Sequence, residues 1–208
     1  MSMQKFVSLF FKGIRKICLA FSGWLEWLHC RFLFYIQNVQ CKNFVTKGVP
    51  YVSVAIGGKC VIGNALVMNN GLKGNPIGRP QPCVFFVDRN AEILIGDNVG
   101  MSSTAIVAHI SVIIGNNVKI GGGVCIYDTD FHALDAKTRT NKNTDKEQAN
   151  KQPVIIEDNA FIGAHSTILK GVTIGRNAII GACSVVTKSV PANEIWGGNP
   201  AKFIKALP

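Results

Sequence analysis

The chain has 208 residues, a formal net charge of +10 and a hydrophobic fraction of 48%. That length fits one domain with a terminal extension and is enough to bury a core. Seven cysteines with no CxxC pair argue against a disulfide framework and for reduced thiols in a cytosolic setting, whereas the positive charge alone suits a phosphate-rich ligand, nucleic acid or an anionic membrane equally well.

The first forty residues form a separate unit. Phe6, Phe10, Ile14, Ile17, Phe21, Trp24, Leu28 and Phe32 recur at steps of three or four, while Lys5, Lys12 and Lys16 share another face. The spacing predicts amphipathic helix. Glu26, His29 and Arg31 interrupt the apolar run, which argues against a membrane span, and no small-residue cleavage site follows it. Two readings remain for residues 1–45: helices packed on the body or on a neighbouring subunit, or a basic and aromatic anchor at a membrane surface.

A six-residue beat governs the rest, residues 46–208. A fragment shows at Ile56-Gly57 and Ile62-Gly63 before residues 68–92, with Pro76, Pro80 and Pro82, break it. It resumes through Ile95 with Val99, Met101 with Ala105, and Val107 with Ser111, slips by one residue, and continues at Ile114, Ile120 and Ile126. Residues 127–153, polar and rich in Lys, Asn and Thr, form a second interruption. Ile156, Ile162, Ile168, Ile174, Ile180 and Val186 then follow without a slip, each with Ala160, Ser166, Val172, Ala178, Ser184 or Val190 four positions on. A period of six fits neither helix nor hairpins; it predicts a mainly β chain wound as a parallel β-helix, aliphatics stacked inside and Gly163, Gly175 and Gly181 easing the corners. Long loops inserted in such a repeat usually carry function.

Three segments make the chain resemble the hexapeptide-repeat acyltransferases: IGNNVKIGGGVCIYDTDFHALD (114–135), the hexads of residues 153–191, and GGNPAKFIK (197–205). The resemblance covers roughly residues 52–205 and is nearest to galactoside, maltose and exopolysaccharide O-acetyltransferases. It implies a left-handed β-helix, acetyl-CoA as co-substrate, a homotrimer with sites between protomers, and no metal. The activity implied is O-acetylation of a saccharide or surface-glycan precursor in the cytoplasm or at the inner membrane surface, without nucleic acid. N-acetylation of an amino sugar, sugar nucleotide, amino acid or antibiotic is the alternative.

Attack of a hydroxyl on a thioester needs a group to take the hydroxyl proton, and neutral imidazole suits that task at physiological pH. His132, in DTDFH at the start of the long loop, matches the family's catalytic histidine, with Asp128 and Asp130 as carboxylates that could orient it. Cys125 reads as an outward thiol rather than a nucleophile. His109, at the slip one coil below, and Ser102, where the family has a substrate-facing asparagine, are expected to contact the acceptor together with Asp130. By resemblance, Ala164 and Ala182 line the groove of the pantetheine arm, and Thr187, Lys188, Lys202 and Lys205 meet the nucleotide end. The loop, with Lys137, Arg139, Lys142, Lys146 and Lys151, is expected to wall the acceptor pocket. A zinc lyase built on His109, His132 and His165 would share this architecture but lacks a close ligand pair. His165 reads as an outward corner residue, and His29 as part of the terminal helix.

Overall fold

A computed structural model describes residues 2–75, 77–78 and 80–208; Pro76 of the first interruption lies outside the described residues. The repeat winds into a left-handed parallel β-helix with three faces. The first face stacks the strands Val39–Cys41, Lys59–Ile62, Glu92–Ile95, Ser111–Ile114, Val154–Ile156 and Thr173–Ile174. The third stacks Tyr51–Val54, Val84–Val87, Ala105–Ala108, Cys125–Tyr127, Thr167–Ile168 and Val185–Val186. The second runs from Phe44–Lys47 to Glu194–Gly197 and ends with Lys202–Ala206, which turns back antiparallel.

The C-terminal hexads place every ladder residue inside. Ile156 lies beside Ile174 and Ile162 beside Ile180, three hexads on, and all six aliphatics and their six smaller companions from Ala160 to Val190 are buried. Burying such a side chain contributes about 1.5–3 kcal/mol, so the stack rather than any coil alone is the stable unit.

Upstream, the beat misleads. Ile56 is 93% exposed, because it precedes a turn at Gly57 whose φ is +84°, whereas Ile62 is in the core. Ala105 and Val107, expected inside, face outward, and Ile106 and Ala108 take the interior. The cause is a tight corner: Ser103 sits at φ 46° and is buried with Thr104, shortening the step from Met101 to the next inward residue. The first interruption is also shorter than 68–92, since Leu66–Asn69, Val84–Val87 and Glu92–Ile95 are regular strands.

The corner glycines act differently from the expectation. Gly163, Gly175 and Gly181 do not need a positive φ. At Gly163 a Cβ would collide with the backbone nitrogen of Ala182, so closeness of successive coils excludes a side chain there. One series of left-handed positions belongs to asparagines: Asn98, Asn117, Asn159, Asn177 and Asn193 have φ of 58–63° and form a side-chain ladder with steps of 3.2, 3.2, 3.1 and 2.8 Å. Asparagine tolerates this conformation and its amide both donates and accepts, so one residue type satisfies backbone and neighbour.

A single helix, α1 (Met3–Ile36), precedes the barrel; β-structure begins at Val39, upstream of the expected boundary at residue 46. Only its C-terminal part touches the body. Trp27 and Phe34 pack on Phe44 with ring centroids 6.0 and 5.2 Å apart, and Glu26 accepts from the Gly48 N–H at 2.7 Å. The apolar stripe from Phe6 to Phe32 does not pack on the barrel.

Asn177→Ala breaks two rungs and forces alanine to a left-handed φ, so it should destabilise the protein by about 1–2 kcal/mol. Asn177→Gly keeps the conformation and should lose less; urea denaturation giving the reverse order would refute the ladder's role.

Candidate active site

The first interruption carries the short helix α2 (Gly71–Gly74) and folds over the corner between the second and third faces, where a side chain at Gly122 would strike Asn75 and Ile77. The second interruption leaves and rejoins the barrel at the opposite edge of the third face. Its two ends form a neck: Thr129 bridges Lys151, Asp130 N donates to Asn150 O at 3.0 Å, and Gln152 N to Asp128 O at 2.9 Å. Beyond the neck lie α3 (Ala136–Arg139), capped by Asp135, and α4 (Lys142–Glu147), capped by Asn141.

Neither carboxylate flanking His132 in sequence orients it. Asp128, with no exposed surface, accepts from the backbone N–H groups of His109, Ile110 and Ser111 at 2.8, 2.6 and 2.8 Å. These three donors are the irregular step that sequence registers as a slip. Asp130 pairs with Lys170 at 2.6 Å.

His132 instead meets Asp145, on α4. Its Nδ1 lies 2.7 Å from Asp145 Oδ2, and the other carboxylate oxygen accepts from the Ala133 N–H at 2.8 Å. The histidine is 67% exposed and the aspartate only 11%. Because an ionised carboxylate only accepts, the proton belongs on Nδ1, which leaves the Nε2 lone pair as the basic site. Phe131, at φ 64°, turns the chain so that His132 can reach the helix.

His132 borders a cavity of about 460 Å³ whose walls are Val84, Phe86 and Val107 from the third face, His109, Phe131, and Lys146, Ala149 and Lys151 from the loop. His109 is similarly held, with Nδ1 3.0 Å from Asp88, and lies between Phe86 and Phe131 at ring distances of 5.9 and 6.0 Å. Beside them Tyr127 packs edge-on to Phe131; burial, then Cys125, pushes its phenol above the ordinary range and keeps it protonated.

The remaining expected residues fall along two edges. Thr187 and Lys188 follow Val185–Val186 at the same corner as His109 and His132, in register with Tyr127 two coils below. Ser102, Ala164 and Ala182 lie on the opposite corner, and Lys202, beside Gly197, continues that line; Lys205 pairs with Ile195 further along the terminal strand. Ser102 accepts from Asn69 at 3.0 Å in a separate groove of about 320 Å³. One protomer therefore brings His109 to His132 but not Ser102. His165, at φ 62°, is on Ser102's side, so the three histidines do not converge, and among the described residues no cluster of three or more metal-ligating side chains occurs.

Sequence reasoning missed Asp145, Asp88 and Phe86. Asp88 lies in the first interruption, where no repeat fixes the direction of a side chain. Asp145 sits in an aperiodic segment where nothing marks it as the partner of a histidine on the other side of a helical turn.

Residues 153–188 match the hexapeptide repeat of succinyl-transferase. Among curated relatives, a Saccharomyces cerevisiae protein provisionally named an acetyltransferase is 38% identical over 124 residues, 59% of this chain and 60% of that one. The 2,3,4,5-tetrahydropyridine-2,6-dicarboxylate N-acetyltransferase of Clostridium perfringens is 44% identical over 61 residues, 29% of this chain and 26% of that one. Of solved structures, a maltose O-acetyltransferase from Clostridium difficile aligns with TM-score 0.51 and 27% identity, covering 82% of this chain and 70% of its own. The N-acyltransferase AntD from Bacillus cereus, in complex with dTDP and 3-hydroxybutyryl-CoA, aligns with TM-score 0.66 and 23% identity over 86% and 88%. The chain thus carries hexapeptide repeats over residues 153–188 and is similar to acetyltransferases in sequence over part of its length and in fold. It spans 60% or less of the length of these curated relatives.

The hydrogen bond from His132, and next that from the Ala133 N–H, hold the Asp145 carboxyl below its usual range. Its folded form then binds a proton less readily than the open loop, so this contribution to closure is complete above the ordinary carboxylate pKa and is lost as pH falls through the lowered value. Amide-exchange protection across residues 127–153 should hold from neutral pH to about 4 and fall below it, while Asp145→Asn should be weakly protected throughout. Protection already lost between neutral pH and about 5 would assign closure to another group.

Proposed function

We propose that the protein is an acetyl-CoA-dependent O-acetyltransferase acting on a saccharide or surface-glycan precursor, with His132 as general base and Asp145 as its positioning residue. The observation that carries this is the His132–Asp145 pair, with His132 on the wall of an open cavity of about 460 Å³. The acceptor O–H proton passes to Nε2 of His132 as the oxygen bonds to the thioester carbonyl carbon. Collapse of the tetrahedral adduct breaks the C–S bond, and the imidazolium returns the proton to the departing sulfur. Asp145 fixes the tautomer and stabilises the imidazolium while it exists. No acyl-enzyme is needed.

The cavity supports a sugar acceptor. Phe86, Phe131 and Val107 offer apolar surface to the C–H face of a ring, His109 held by Asp88 offers a hydrogen bond, and Lys146 and Lys151 favour an acidic substituent. A hydroxyl has greater need of an oriented base than an amine that has already lost its proton. The second reading, N-acetylation of an amino sugar or sugar nucleotide, draws on the relatives named as N-acetyltransferases and N-acyltransferases.

We further propose a trimer whose sites lie between protomers. Ala164, Ala182 and Lys202 run along one edge of the third face and His132, Thr187 and Lys188 along the other, so cyclic packing of copies would set one line against the next protomer's other line. Between those lines the thioester arm would lie against small residues and its phosphates near lysines.

Calorimetric titration with acetyl-CoA, followed by thiol release across sugars, glycans and amines, tests the reading. His132→Ala should abolish turnover, a fall of at least about 10²–10⁴ in kcat, with acetyl-CoA affinity kept within a few fold; Asp145→Asn should lose about 10²–10⁴ in kcat with little change in KM. Equal loss of binding and turnover would remove His132 from the chemistry, and thiol release with amines alone would replace the hydroxyl. Co-assembly of His132→Ala protomers with Lys202→Glu protomers should restore part of the activity that neither homo-oligomer has; no restoration would place the whole site within one protomer.

A further inference from the structure

The helix α1 turns its apolar stripe away from its own protein. At the 100° per residue of an α-helix, the stripe from Phe6 through Ile14, Phe21 and Trp24 to Phe32 occupies a sector of about 80°. Its side chains are 39–72% exposed. Glu26, Cys30 and Phe34, which fasten the helix to the barrel, lie on the opposite side, and so do Lys5, Lys12, Arg15 and Lys16. No acidic residue precedes Glu26.

We propose that α1 lies in the plane of an anionic lipid bilayer, its stripe inserted among the headgroups and the β-helix held on the aqueous side. The attachment geometry fits: the body is joined to the face that would point to water. The helix would be about 50 Å long, yet no helix among the described residues is long and apolar enough to cross a membrane, so it would rest along the surface. Cations one helix diameter from the headgroups are within about a Debye length of their negative charge. A second copy fits less well as the occupant. A helix–helix seam covers a narrow stripe, whereas Val7, Leu9 and Leu25 flank this one with more exposed apolar surface. Pairing would also gather the cations of both copies without a compensating acid. The inference rests on α1 alone and stands apart from the acyl-transfer reading.

Flotation of the full-length protein with phosphatidylcholine vesicles, with and without phosphatidylglycerol, tests it. Partition should be at least about tenfold stronger on the anionic vesicles at low salt and fall as salt rises, with Trp24 emission shifting to the blue. Phe10→Glu with Ile17→Glu should abolish partition, and Lys12→Glu with Lys16→Glu should remove the preference for anionic lipid. Both pairs are in the part of the helix free of the barrel, so the melting temperature should stay unchanged. Absence of partition, or equal partition to both vesicles, overturns the proposal. So does a Phe10→Glu with Ile17→Glu variant that changes the sedimentation coefficient but not partition, which would give the stripe to a second copy.

Discussion

The candidate site depends on one buried carboxylate. Asp128 receives three successive backbone N–H groups, from His109, Ile110 and Ser111, while its own carbonyl accepts from Gln152 at the returning end of the loop. Out of water, each of these donors would be costly to leave unpaired, and a carboxylate satisfies several at once. The aspartate thereby sets two things together. It fixes the irregular step that aims His109 into the cavity, and it closes the neck from which the loop carries Asp145 back to His132. Replacing it by a smaller apolar residue would leave the three N–H groups without their acceptor and loosen the step that aims His109, while the backbone carbonyl would still hold Gln152.

Stability and chemistry are assigned to different parts of the chain. The coils continue in register across the long insertion, with Val112 beside Val154 and Ile126 beside Ile168, so the loop adds nothing the ladder needs. Its entropy is offset locally, by Asp135 and Asn141 at the helix caps, by Arg139 on the Ala133 carbonyl and by the Asp145 contacts. The shorter insertion plays a parallel part at the other edge of the third face, where Asn70 accepts from Cys83 and bridges back to Lys47 and Gly48. A rigid prism with a loop on each edge of one face is a scaffold on which the pocket can change while the core does not.

This division explains what could be read in the sequence. The hexads of residues 153–191 are legible because each inward residue meets the same environment as the one three hexads before it, and repetition writes that environment into the chain. Upstream the same rule fails at Ala105 and Val107, where a corner tightened at Ser103 moves the inward position by one. The outward turn of Val107 is also what gives the cavity part of its wall. His132 stands out because it abuts an intact coil. Asp145 does not, since its selection rests on a three-dimensional return of the loop that has no period. The asparagine ladder was visible as residues but not as a ladder, because the glycines beside it offered the more familiar explanation of a corner.

The net charge of +10, uninformative as a sum, becomes specific once placed. Lys5, Lys12, Arg15 and Lys16 belong to an exposed helix face, Lys146 and Lys151 to the wall of a cavity, and Lys188, Lys202 and Lys205 to the last coils. The three groups occupy separate parts of the surface, so one excess of charge is three distinct features. Asp128 and Asp145 are the counterpoint: two acids, both drawn inward, one spent on backbone and one on an imidazole. Each of those carboxylates is fixed by the donors around it, three backbone N–H groups for Asp128 and the His132 ring with the Ala133 N–H for Asp145.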